Sequence, residues 1–164
     1  MGLGNVLMGD DGFGPYVVGV LEASCDFPEG VELIDAGTPG PDLALYMEGR
    51  KAVIVVDTVS ARGEAGELRV YRGESLSAFP GPVITSPHDP GLLEALRALA
   101  FTGQGPPDVL LIGAIPRRIG SGVGLSDPVR FSCLRPRALL RGTGTPAQRT
   151  LRPRVRGAYA LDLD

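Results

Sequence analysis

The sequence predicts an α/β fold in three layers, a mostly parallel open sheet with helices on both faces. Two near-continuous apolar runs, Ala52–Val59 (AVIVVDTV) and Asp108–Ile115 (DVLLIGAI), have the pattern of strands buried on both faces. Amphipathic helical patterns alternate with strand-like runs along the chain, the order that parallel strands joined by crossover helices produce. The length of 164 residues, with 43% hydrophobic residues and a net charge of −3, fits one globular domain with a real core.

Taken in order, Gly2-Leu3-Gly4-Asn5 reads as the turn after a first strand, although only Met1 precedes it. Gly12–Ser24 is expected to be a helix with Phe13, Tyr16, Val17, Val20 and Leu21 on one face. Val31–Asp35 (VELID) follows as a strand and leads into the turn-forming stretch Asp35–Gly40. Pro41–Glu48 is a weaker helical pattern, and Ala52–Val59 the next strand. Gly66–Tyr71 (GELRVY) alternates, as an edge or half-exposed strand does. Asp89–Ala100 begins with Asp89 as a helix cap and Pro90 at the first helical position, then places Leu92, Leu93, Leu96 and Leu99 on one face. After Asp108–Ile115, Gly120–Gly124 reads as a flexible loop. Ser126-Asp127-Pro128 starts a last helix, which Pro136 stops after about two turns. These expectations give a single α/β domain over residues 1–130 and an irregular Arg/Pro/Gly-rich tail over 131–164.

Composition excludes several classes. Glycine (24) and proline (15) are abundant without a G-X-Y period, so they mark turns rather than collagen. Two cysteines, Cys25 and Cys133, rule out a disulfide scaffold or a Cys-rich zinc site. No apolar run approaches the ~18 residues of a membrane span, and no signal peptide is visible, so a cytoplasmic protein with no membrane partner is expected. Charge is uneven: residues 1–127 carry 17 Asp and Glu against 8 Lys and Arg, whereas 128–164 carry 8 Arg against 2 Asp. That basic tail lacks lysine and interleaved aromatics, so no nucleic-acid partner is expected.

The familiar ligand loops are also absent. Leu7 occupies the third glycine position of a G-x-G-x-x-G fingerprint, and neither a phosphate loop nor a G-x-S-x-G elbow occurs. Asp10 and Asp11 precede the first helix, where one carboxylate suffices to cap it and the other is left to point, ionised, into a cleft. Asp57 ends an apolar strand, at the edge where open α/β sheets place ligands; the alternative is a cap on the next turn. His88, the sole histidine, stands between Pro87 and Pro90 at a stiff loop-to-helix junction. Two carboxylates and one imidazole make an O,O,N site for a borderline divalent ion such as nickel, zinc or iron, if the fold unites the three loops. The Asp35–Gly40 stretch is an ordinary Gly/Pro turn or a backbone cradle for a peptide. Neither cysteine has a recognisable histidine partner, which argues against thiol catalysis.

Taken together, G-x-G-N (Gly2 to Asn5), G-D-D-G-x-G (Gly9 to Gly14), D-x-G-T-x-G (Asp35 to Gly40), the strand-end Asp57, S-P-H-x-x-G-L (Ser86 to Leu92) and I-G-A-I-P…G-x-G-L-S (Ile112 to Ser126) resemble the nickel-iron hydrogenase maturation proteases over residues 2–130. The resemblance implies a flavodoxin-like or phosphorylase/hydrolase-like sheet. It also implies an endopeptidase that removes the C-terminal extension of a hydrogenase large-subunit precursor after nickel insertion, and so activates the hydrogenase. Asp11, Asp57 and His88 would then be the catalytic and metal-binding trio, with the nickel carried by the substrate. Asp35, Gly37 and Thr38 would contact the substrate. A non-catalytic, precursor-binding member of the same fold is the alternative. Two departures carry expectations of their own. The family's apolar first strand and closing amphipathic helix are not visible, which points to a start upstream of Met1 and a frameshifted tail. With strands ~4.8 Å apart, a lost central strand would open a gap near 10 Å with two unpaired edges.

Overall fold

Alternation within the two apolar runs decides where the core lies. In the computed structural model, which describes residues 1–77, 91–133 and 152–153, these runs are strands β4 (Ala52–Thr58) and β6 (Asp108–Ala114). They pair in parallel along their whole length, from Ala52 opposite Asp108 to Thr58 opposite Ala114. Val53, Val55 and Leu111 face one side, where they pack with Leu43 and Met47 of α2 (Leu43–Met47), Leu76 of α3 (Glu74–Ser77) and Leu92, Ala95 and Leu99 of α4 (Leu92–Thr102). Val56, Leu110, Ile112 and Ala114 face the other side. There they meet Phe13, Val17 and Leu21 of α1 (Phe13–Ser24) and Val129 and Cys133 of α5 (Asp127–Cys133). Helices on both sides leave no strand position for polar residues, hence the unbroken apolar runs. Each fully buried Val or Leu contributes roughly 1.5–3 kcal/mol.

The sheet has five strands in the order β3–β1–β4–β6–β5, with β1 at Gly2–Leu3, β3 at Asp35–Gly37 and β5 at Leu68–Arg72. Only β5 is antiparallel, and it forms the edge beside β6. The expected three-layer, mostly parallel sheet is therefore present.

Several elements differ from the sequence expectations. The first strand is short but not missing. The Gly2 N–H donates to the Ile34 carbonyl (2.8 Å), the Gly4 N–H to Gly37 (2.8 Å) and the Val56 N–H to Met1 (2.9 Å). Backbone pairing needs no apolar run, so a few residues join β3 to β4 and the two-edged gap does not open. Because β3 pairs only with β1, its ladder begins where β1 begins, Asp35 opposite Gly2. Val31–Ile34, expected as strand, lies outside it.

On α1 the buried face is Phe13, Gly14, Val17, Val18 and Leu21, while Tyr16 is 38% exposed. The cause is Gly14. A Cβ there would lie 2.3–2.5 Å from the Leu3 backbone and the Val56 carbonyl, so the bare backbone of α1 sits directly on β1 and β4. That contact rotates the face towards Gly14 and Val18. Helix α4 begins at Leu92 with Gly91 as its backbone cap; the expected cap Asp89 and Pro90 lie outside the described residues. Where the tail shows no periodicity, Arg152–Pro153 forms β7, antiparallel to β2 (Cys25–Asp26).

Candidate active site

Strands β1 and β4 are parallel neighbours, so their carboxyl ends open onto one edge of the sheet. Just past β1, Gly4 adopts φ +124°, and a Cβ on it would lie 1.8 Å from the Asp11 carbonyl oxygen. Only glycine allows this approach. It brings the 3-10 turn Asp10–Gly12 onto the end of β1, and the turn also packs against β4. The Asn5 N–H donates to Asp11 Oδ2 at 2.8 Å. At the end of β4, Asp57 is fully buried and its Oδ1 accepts the Thr58 N–H at 2.7 Å. Gly14, seated on the Val56 carbonyl, fixes the first turn of α1 over the same edge. Asp11 and Asp57 thus lie at the same strand-end edge. Both are buried.

The third expected ligand, His88, lies outside the described residues. Among those described, no three His, Cys, Asp or Glu side chains converge on a metal position. Two buried carboxylates at one edge are nevertheless the hard oxygen donors that a borderline divalent ion accepts. Asp35, Gly37 and Thr38 sit at the end of β3, one strand from the Asp11 turn. The Gly37 N–H donates to Asp35 Oδ1 at 3.1 Å, Gly37 takes the left-handed φ of +58°, and Asp35 and Thr38 are exposed to a ligand.

Asp10 has a role the sequence did not reveal. Neither it nor Asp11 caps α1; the caps flanking this turn and helix are glycines without side-chain bonds. Instead, the Asp10 carboxylate, 1% exposed, accepts four hydrogen bonds from a distant loop. They come from the N–H groups of Ser126 (2.6 Å), Arg117 (2.8 Å) and Arg118 (3.0 Å), and from the Ser126 hydroxyl (2.9 Å). Burial alone would raise its pKa. The Ser126 and Arg118 N–H groups, then the Ser126 hydroxyl and Arg117 N–H, overcome that and hold it below the usual carboxylate value. Main-chain bonds reinforce the link: the Gly9 N–H donates to Gly122 (2.8 Å), Gly122 to Leu7 (2.9 Å) and Asp10 to Arg118 (3.1 Å). The Gly120–Gly124 stretch, expected as a free loop, is therefore laced to the turn bearing Asp11. No local signal could show this, because Asp10 and its partners are more than a hundred residues apart.

The thiols are remote from such chemistry. Cys25 and Cys133 are both buried. Burial, and secondarily the charge of Asp10, push the Cys133 thiol up to about 12, the wrong direction for a nucleophile.

A sheet of this order defines an α/β protein with buried carboxylates at the switch between β1 and β4, the position where open sheets of this kind place ligands. Comparison with known proteins makes the class specific. The family model of the hydrogenase maturation protease HycI matches residues 15–135, a span that includes Asp57 and begins just after Asp11. The hydrogenase 2 maturation protease of Escherichia coli is 36% identical over 130 residues, 79% of each chain. The hydrogenase expression/formation protein HupM of Azotobacter chroococcum is 37% identical over 131 residues, 79% of this chain and 63% of that one. The chain thus spans less than two thirds of the length of that relative, and equally of HoxM from Azotobacter vinelandii. The structure of the maturating endopeptidase HybD from E. coli superposes with a TM-score of 0.78 at 33% identity, covering 93% of this chain and 94% of that one. The chain belongs to the hydrogenase maturation protease family.

Proposed function

We propose that this chain is an endopeptidase that removes the C-terminal extension of a hydrogenase large-subunit precursor after nickel insertion, with residues 1–130 as the peptidase unit. The observation that carries the proposal is the placement of two buried carboxylates, Asp11 and Asp57, at one strand-end edge of a chain in this family. Nickel arrives in the substrate. Asp11, Asp57 and His88 bind it, so that only loaded precursor is held. The ligand forms are ionised carboxylates and neutral imidazole, so docking weakens in acid. An ion so held can polarise a carbonyl or lower the pKa of bound water. Asp35, Gly37 and Thr38 receive the peptide beside it. Among the described residues no helix is long and apolar enough to cross a membrane, and we place the reaction in the cytoplasm.

The test is incubation with nickel-loaded and nickel-free precursor, read by product mass. Cleavage of the loaded form alone, abolished by Asp57→Asn, Asp11→Ala and His88→Ala, is expected. Undiminished cleavage by these variants overturns the site assignment. Precursor that binds but stays intact overturns the activity and supports the non-catalytic alternative.

A further inference from the structure

Beside the Asp11 turn lies a cavity of about 780 Å³ between the 117–126 loop and the first turn of α5. Its walls include Asp10, Arg117, Arg118, Val123, Leu125 and Arg130. The carboxylate of Asp10 is fully engaged by its four donors, and Arg130 pairs with Asp127 at 2.5 Å. Arg117 and Arg118 differ. Their side chains are exposed, and among the described residues neither forms an ion pair. The two carboxylates in the cavity wall, Asp10 and Asp127, are engaged by the loop and by Arg130, so these two guanidinium groups stand at an open cavity without an ion-pair partner among the described residues. Exposed aliphatic side chains lie close by. Ile119 and Val123 (77% exposed) lie on the loop, and Val6 and Leu7 (60% exposed) lie on the segment paired with it through the Met8–Gly122 bridge. Single exposed aliphatics need no explanation, but four on two paired segments form a patch. The patch runs from the cavity towards Asn5, whose N–H holds Asp11.

We propose that this face binds the polypeptide substrate through an acidic, apolar stretch, with carboxylate pairing to Arg117 and Arg118 and aliphatic side chains lying on Leu7, Ile119 and Val123. The guanidinium fork suits a carboxylate, which it grips with two parallel hydrogen bonds. A single-stranded nucleic acid would call for a continuous basic track with stacking aromatics; here two arginines stand among aliphatic residues. The loop is built in advance, because Asp10 holds it by backbone N–H groups. Replacing the Arg117 and Arg118 side chains therefore leaves its anchoring bonds intact. The partner's identity rests on the proposed peptidase function, but the test reads binding rather than cleavage.

The probe is a short fluorescein-labelled peptide of alternating leucine and glutamate, followed by fluorescence anisotropy with the full chain. Binding that weakens with added salt, and that falls roughly tenfold or more in the double variant Arg117→Gln/Arg118→Gln, is expected. Two companion peptides locate the carboxylate. Glutamine in place of glutamate weakens binding if side-chain carboxylates are read; C-terminal amidation weakens it if the terminal carboxylate is read. Equal binding by the double variant, or by a peptide lacking both kinds of carboxylate, overturns the proposal. So does serine in place of leucine without loss, or tighter binding of a single-stranded oligonucleotide at the same site. Asp57→Asn separates this proposal from the peptidase reading: it is expected to abolish precursor cleavage and to bind the probe like the parent protein.

Discussion

The Asp10 carboxylate accepts both the backbone N–H of Ser126, at 2.6 Å, and its hydroxyl, at 2.9 Å, joining points 116 residues apart in the chain. Asp10 is adjacent in sequence to the site carboxylate Asp11, and Ser126 opens helix α5 through the Arg130 N–H that donates to its carbonyl. One side chain therefore couples the turn carrying Asp11, the 117–126 loop and the last described helix.

Removing that side chain should be costly. In Asp10→Ala, three backbone N–H groups and a hydroxyl lose a charged acceptor within a buried setting. The expected loss of stability is about 3 kcal/mol, read from the urea unfolding midpoint at neutral pH. Asp10→Asn should also destabilise, because its amide nitrogen turns a donor towards donors. A loss below about 0.5 kcal/mol in both variants would contradict the anchoring role.

The same bonds set a pH dependence. The folded pKa of Asp10 lies below its unfolded value of 3.8. Its contribution is therefore fully present well above pH 3.8 and is lost as pH falls through the lower folded value. Urea midpoints measured down the acid limb should fall more steeply for the parent protein than for Asp10→Asn. Identical slopes would show that Asp10 does not carry this linkage.

Two glycines of α1 should respond oppositely to alanine. At Gly14 a methyl group meets the Leu3 backbone and Val56 carbonyl at 2.3–2.5 Å, so the helix must lift off the sheet. Gly14→Ala should cost about 1–3 kcal/mol and weaken cleavage, since Asp11 rides on that contact. At Gly19, exposed in the same helix, nothing lies within 4 Å of a new Cβ. Gly19→Ala should stabilise by about 0.5–1 kcal/mol in thermal or urea unfolding.

The thiols should be inert in the folded protein. Cys133 keeps its proton, with a pKa of about 12, and both cysteines are buried. A chromogenic disulfide reagent at mildly alkaline pH should modify neither thiol natively and both in denaturant. The raised pKa also has a stability consequence: its contribution is complete below the unfolded value of 9.0 and is lost as pH rises towards 12. Rapid native labelling of Cys133 would contradict its burial against Phe13.

Much of this molecule was legible along the chain. The unbroken runs that became β4 and β6 could only be strands covered on both faces. The alternation in Gly66–Tyr71 marked an edge or half-exposed strand, found as β5, and Ser126-Asp127-Pro128 marked the start of α5. Asp57 could be singled out as a strand-end carboxylate because its position follows from local pattern and the direction of parallel strands, whereas the choice of Asp11 over Asp10 came from the family resemblance. What failed was whatever depended on a partner. Val31–Ile34 has a strand's composition but lies outside the ladder, which pairs Asp35 with Gly2. Tyr16 has the right helical spacing for the core but faces out, because the sheet contact is centred on Gly14.

By itself, then, the sequence determined the three-layer class, the identity of the central strands and the strand end at which Asp57 stands. Each follows from periodicity over a few residues and from the fixed polarity of strands. Tertiary structure alone decided that Asp10 would serve a loop more than a hundred residues away rather than cap its own helix. It also decided that a glycine loop would be laced to the turn bearing Asp11, and that Arg117 and Arg118 would flank a cavity beside it. The physical reason is that hydrogen bonds between distant backbone groups leave no imprint on local composition. They exist only once the packing of β1, β4 and α1 has brought the two segments within reach.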